Sequence, residues 1–140
     1  MPAEIRILYI EDDESLGILF TKIVTDLGHS VDVATNGRDG IAMYNANPHD
    51  VVFLDYNLPD TDGISIARKL FLDDPEQLIV LVTGEGSERL ASEALSLGIT
   101  EYVVKDSDLV FTELIPSILT KLGRVISGER NKRAAEKKVK

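Results

Sequence analysis

The 140-residue sequence predicts an α/β fold, a three-layer sandwich with helices on both faces of one parallel sheet. Three observations predict it. First, Ile7-Leu8-Tyr9-Ile10, Val51-Val52-Phe53-Leu54, Ile79-Val80-Leu81-Val82 and Tyr102-Val103-Val104 are short unbroken apolar runs. Such runs, rich in β-branched residues, read as strands buried on both faces. Second, the segments between them carry apolar residues at three- and four-residue spacing, which gives five β-then-α units joined by right-handed crossovers. Third, each run ends on reactive polar residues: Glu11-Asp12, Asp55, Thr83 and Lys105. The carboxyl ends of parallel strands share one sheet edge, where open α/β sheets bind ligands.

The elements follow in order. From Glu14 to Leu27, residues Leu16, Leu19, Phe20, Ile23, Val24 and Leu27 mark one face of a helix closed by Gly28. Val31 and Val33 alternate with polar neighbours, so the next strand is less buried and predicted at an edge. A short helix spans Arg38 to Asn45, and Asn47-Pro48 breaks it before the strand at Val51. After Asp55 the turn-rich stretch Asn57-Leu58-Pro59-Asp60-Thr61-Asp62-Gly63 leads into a helix through Ile66, Ala67, Leu70 and Phe71. That helix stops near Asp73-Asp74-Pro75. Past the Thr83–Ser87 loop, Ser87 caps a helix that runs to Leu97 and stops at Gly98. The last helix places Leu114, Ile115, Ile118, Leu119, Leu122, Val125 and Ile126 on one face, with Pro116 in its first turn. Beyond Gly128 the apolar spacing fades, and Glu129, Arg133 and Glu136 stand where a heptad seam needs apolar side chains.

Composition narrows the function. A chain of this length is expected to be one domain. There is no cysteine, so disulfides and thiolate metal sites are excluded. The first residues lack the apolar core of a secretory signal, and no run approaches a membrane span, so a cytoplasmic location is expected. The net charge is −9, yet residues 129–140 carry six Lys/Arg against two Glu, a local +4 that leaves −13 for residues 1–128. So acidic a body argues against direct nucleic-acid binding, which needs Lys and Arg on phosphates. His29 and His49 have no ligand-like spacing and read as surface residues. Gly84-Glu85-Gly86 lacks the third glycine and the context of a dinucleotide loop.

The strand-end residues suit a divalent cation and a phosphoryl group. Magnesium takes oxygen ligands and keeps several waters, so a few carboxylates suffice; Glu11, Asp12 and Asp55 supply them. Two unit charges ~4 Å apart repel by roughly 4 kcal/mol at an effective dielectric of 20, and a dication would offset that cost. Phosphoryl transfer asks a protein mainly for positioning and charge neutralisation. Asp55, alone at the end of its run, is the candidate nucleophile for an aspartyl-phosphate. Lys105 would pair with one phosphoryl oxygen, the metal with another, and the Thr83 hydroxyl with loop N–H groups would take a third.

These residues, in the pieces Ile-Leu-Tyr-Ile-Glu11-Asp12-Asp13, Phe-Leu-Asp55-Tyr-Asn57-Leu-Pro59-Asp-Thr-Asp-Gly63, Val-Thr83-Gly84 and Tyr102-Val-Val-Lys105, make the chain resemble a response-regulator receiver domain of two-component signalling. The resemblance spans residues 5 to about 127. It implies a flavodoxin-like (βα)5 sandwich with strand order 2-1-3-4-5. It implies that Asp55 accepts phosphate from a histidine kinase or histidine phosphotransfer protein, with Mg2+ (Mn2+ as the alternative) as cofactor. Asp12 would then ligate the metal directly, Glu11 through water, and the Asn57 carbonyl would complete the shell. Thr83 and Tyr102 match the family's switch pair, which relays phosphorylation to the face of the fourth helix, fifth strand and fifth helix. Asn57 and Glu85 hold the two positions that tune dephosphorylation. One departure is Asp106, where the family has a proline joined by a cis bond; here the bond is either trans or strained.

The implied division is a receiver domain over 1–127 and a basic helical tail or linker over 128–140 that leads toward an absent or separate output domain. The implied partners are the phosphodonor protein, a downstream protein or output domain, and a second copy on phosphorylation; nucleic acid and membrane are not among them. The domain is expected to assist its own phosphorylation and dephosphorylation without being a conventional turnover enzyme. A receiver-like interaction module working without phosphate is the alternative. A haloacid-dehalogenase-type phosphatase is disfavoured, because it needs a second aspartate where Asn57 stands, and an amide cannot move that proton.

Overall fold

The computed structural model describes residues 4–84, 86–107 and 109–138. Strands β1 (Arg6–Ile10), β2 (Ser30–Ala34), β3 (Val51–Leu54), β4 (Leu78–Thr83) and β5 (Glu101–Val104) alternate with helices α1 (Glu14–Asp26), α2 (Gly37–Ala46), α3 (Gly63–Asp73), α4 (Glu88–Leu97) and α5 (Ile115–Lys138). The strands pair in parallel in the order β2-β1-β3-β4-β5, the expected topology, with β2 at an edge.

Because side chains alternate across a strand, each central strand feeds two cores. Ile7 and Tyr9, Val51 and Phe53, and Val80 and Val82 pack with Phe20 and Val24 of α1 and with Ile115, Leu119 and Leu122 of α5. Leu8 and Ile10, Val52 and Leu54, and Ile79 and Leu81 pack with Ile66, Ala67 and Leu70 of α3 and with Leu90 and Ala94 of α4. Each fully buried Val, Leu, Ile or Phe among them contributes about 1.5–3 kcal/mol of transfer free energy. The sheet is thus rigid, and its edge is a fixed frame for the site. Helix ends are set locally. Asp13, Asn36, Asp62 and Ser87 each accept from a backbone N–H three residues on, and Gly28 and Gly98 adopt positive φ after α1 and α4.

Three expectations are corrected. Leu114 and Val125 are not on the buried face; they are 43% and 47% exposed. A π-helical turn over Val110–Leu114 precedes α5 and buries Val110 and Phe111 instead. In it the Ile115 N–H donates to the Val110 carbonyl. Proline cannot donate and crowds the carbonyl four residues back, so this wider turn accommodates Pro116 and shifts which residues face the sheet. His49 is not on the surface. Its side chain is buried, with Nε2 2.8 Å from Asp32 Oδ2, joining the α2–β3 loop to the edge strand. His29 is half-buried, and its Nδ1 accepts from the Ile5 N–H at 3.1 Å. Burial pulls its pKa down.

The helix does not break at residue 128. α5 runs on to Lys138, and Arg130 fastens it to the sheet's lower edge by bonds to Asp50 Oδ2 (2.8 Å) and the Glu4 carbonyl (3.3 Å). Among the described residues no peptide is cis, so Lys105–Asp106 is trans. No helix of the described residues is long and apolar enough to cross a membrane.

Candidate functional site

The backbone ladder continues one residue past each strand, and this registers the reactive side chains. Glu11 N donates to the Ala34 carbonyl (2.9 Å), Asp55 N to Ile10 (3.0 Å) and Lys105 N to Thr83 (2.7 Å). Asp13 is spent as the α1 cap, its side chain accepting from the Leu16 N–H at 3.2 Å. Glu11 and Asp12 are left to face the cleft. Glu11, Asp12 and Asp55 each offer a carboxylate oxygen within 4.8 Å of the others. Lys105 reaches in from β5, its Nζ 2.7 Å from Glu11 Oε1 and 3.3 Å from Asp55 Oδ2. Glu11 is only 1% exposed and Asp55 5%.

So dry a cluster perturbs its own titration. Burial raises the Glu11 pKa, the neighbouring Asp55 raises it further, and Lys105 opposes both. Asp12, although exposed, is raised by what desolvation it has and then by Glu11. Burial pulls the Lys105 ammonium down, but Glu11 and Asp55 together outweigh it and hold its pKa above the ordinary value. The Tyr9 phenol is pushed up by burial and by the Glu11 charge.

Thr83 ends β4 at the same sheet edge and is fully buried. Tyr102 lies one strand further out, paired with Leu81 and half-buried. Its hydroxyl accepts from the Ser87 N–H at 3.3 Å, beside the start of α4. Asn57 is exposed in the β3–α3 loop, which an antiparallel bridge between Asn57 and Asp62 closes. Glu85 lies outside the described residues.

Three residues that lie in the motifs but were given no role there also build the site. Gly63 opens α3 directly against β3: its N–H donates to Tyr56 O at 2.7 Å, and a methyl group there would collide with the Asp55 carbonyl. Its place at the end of a turn-rich run was the available signal. Asp60 accepts from the Gly37 and Arg38 N–H groups (2.8 and 3.0 Å), which ties the β3–α3 loop to the start of α2 and holds its carboxyl below the usual range. Tyr9 donates its hydroxyl to Glu11 Oε1 at 3.2 Å. Residues two apart on a strand share a face, so the pair was visible in principle.

Hard oxygen donors converging beside an ammonium fit Mg2+ and an anionic phosphoryl group. The comparisons give the family. The response regulator receiver domain family matches residues 7–119. The transcriptional regulatory protein CusR of Escherichia coli is 34% identical over 119 residues, covering 85% of this chain and 52% of that protein. The chemotaxis protein CheY of Treponema pallidum is 34% identical over 109 residues, with 76% of each chain covered. The chain thus spans about half the length of the transcriptional regulators it matches. Among solved structures, a CheY-like receiver domain protein of Methanospirillum hungatei superposes with TM-score 0.81 at 24% identity, over 91% of this chain and 99% of that one. The HemR receiver domain of Leptospira biflexa does so with TM-score 0.76 at 27% identity, over 89% and 95%. With its sheet order, its acid-and-lysine cleft and these relatives, the chain belongs to the response regulator receiver domain family, the signalling switch of two-component systems.

Proposed function

We propose that Asp55 is the phosphoacceptor of this switch. The observation that carries the reading is Lys105 Nζ held between Glu11 and Asp55 at 2.7 and 3.3 Å, which puts a cation where phosphoryl charge would develop. An Asp55 carboxylate oxygen attacks phosphorus, the P–N bond of a phosphohistidine breaks, and the departing imidazole nitrogen takes a proton from solvent. Lys105 turns from the carboxylates to a phosphoryl oxygen, and the Thr83 hydroxyl takes another. Asp12, Asp55 and the Asn57 carbonyl would hold Mg2+, with Glu11 acting through water, and the cation would supply neutralisation of phosphoryl charge. Mn2+ presents the same hard-oxygen preference.

Phosphorylation would draw Thr83 toward the phosphoryl group and shift Tyr102, whose hydroxyl bond to the Ser87 N–H links the site to α4. The α4–β5–α5 face is therefore the output surface, where a downstream protein, an output domain or a second copy binds. Asn57 and Glu85 are the two positions that would tune how fast water removes the phosphate. The phosphodonor is a histidine kinase or histidine phosphotransfer protein, and residues 128–140 lead toward the output.

Incubation with Mg2+ and acetyl phosphate, read by intact mass, tests the reading. One phosphoryl group is expected on the wild type and none on Asp55→Asn or without metal. Uptake that survives Asp55→Asn would overturn it. No uptake at all by the folded wild type would favour an interaction module working without phosphate.

A further inference from the structure

Glu11 is gripped from below by a residue with no assigned part in the site. Tyr9 is fully buried in β1, its ring 4.2 Å from the Phe20 ring, which in turn lies 5.1 Å from Phe53. A ring so packed holds its hydroxyl at a fixed height beneath the cleft. That hydroxyl donates to Glu11 Oε1 at 3.2 Å; Lys105 Nζ donates to the same oxygen at 2.7 Å; and the Asp13 N–H approaches Oε2 at 3.4 Å.

The three donors differ in what they can do next. Under the proposed function, on which this inference rests, Lys105 leaves Glu11 for the phosphoryl group. Its departure strips Oε1 of its stronger donor inside a site where Glu11 is 1% exposed. A buried carboxylate oxygen without a donor is costly and drives the side chain to another rotamer. Tyr9 cannot follow the phosphoryl group, because its ring is locked between strand and helix.

We propose that Tyr9 is a positioning residue of the metal–phosphoryl site, whose hydroxyl keeps the Glu11 carboxylate aimed at the cation once Lys105 is withdrawn. The bond is worth more in the metal- and phosphoryl-loaded state than in the free state, where Lys105 shares the work. Its loss therefore weakens ligand binding as well as the fold.

Tyr9→Phe keeps the ring and removes only the hydroxyl. Mg2+ affinity is measured by titration calorimetry on wild type and Y9F in the presence of beryllofluoride, a phosphoryl mimic that draws Lys105 away from Glu11, both proteins confirmed folded by circular dichroism. A roughly tenfold weaker affinity in Y9F, the scale of one hydrogen bond to a charged group, is expected. In parallel, wild-type protein carrying carbon-13 in its tyrosine rings should show the Tyr9 resonance shift on Mg2+ addition and shift again when beryllofluoride withdraws Lys105, as the Tyr9 bond to Glu11 tightens. This second measurement stands if Y9F fails to fold. Y9F affinity within twofold of wild type, or an unmoved Tyr9 resonance in protein that binds Mg2+, overturns the Tyr9 role alone. Wild type that binds no Mg2+ overturns the site reading together with it.

Discussion

Lys105 Nζ lies 2.7 Å from Glu11 Oε1, an ion pair closed across 94 residues of sequence between the ends of the first and fifth strands. The same ammonium is 3.3 Å from Asp55 Oδ2, so one cation balances two buried carboxylates.

Lys105→Ala should leave that carboxylate pair uncompensated. Removing one partner of a fully buried pair costs about 3–5 kcal/mol, and partial solvent access to Lys105 reduces this to about 2 kcal/mol. Urea unfolding without metal should show the loss, and Mg2+ should recover much of it. Equal stability of variant and wild type without metal would mean the ion pair carries no net energy.

Stabilisation by Mg2+ should grow as pH rises. Glu11 and Asp12 have folded-state pKa values above their ordinary ones, Glu11 chiefly from burial. Their stabilising contribution in metal-free protein is present below the unfolded carboxylate pKa and is lost as pH rises through the raised folded values. Protons and Mg2+ compete for these oxygens, so the metal-induced rise in Tm should be small in acid and increase through that window. At a hundredfold excess over Kd the gain approaches about 2.7 kcal/mol. Asp12→Ala should remove most of it, and a gain independent of pH would contradict the coupling.

Gly63→Ala should damage both fold and site. The new methyl meets the Asp55 carbonyl and the Leu81 side chain, so α3 must move away from β3. Overpacking of this kind costs about 1–3 kcal/mol. Acetyl phosphate uptake should fall as well, because Asp55 and the Asn57 loop move together. Normal stability with normal uptake would show that the helix start adjusts freely.

His49→Ala should cost about 3 kcal/mol in thermal or chemical unfolding, combining a cavity with a lost hydrogen bond to Asp32. Phosphoryl uptake in the folded fraction should be unchanged, since His49 lies before β3, at the end of the sheet away from Asp55. A loss below about 0.5 kcal/mol would place the ring outside the energetic core.

The sequence by itself determined the five βα units, the edge position of β2, the stops at Gly28 and Gly98 and the Ser87 cap. These are local matters: an apolar period selects strand or helix, and a cap satisfies a backbone group three residues away. It also placed Glu11, Asp12, Asp55 and Lys105 on one edge, because parallel strands align their carboxyl ends.

Only the tertiary structure decided what depends on distances between elements. Tyr9 read as one more apolar strand residue until its hydroxyl met Glu11, and His49 read as a surface residue until Asp32 covered it. The helical spacing around Pro116 gave Leu114 and Val125 to the core, but Leu114 falls in the π turn and faces outward, and Val125 further along α5 is left half exposed. A linear pattern fixes which way a side chain points from its own backbone. What it meets there is set by the packing of elements distant in sequence.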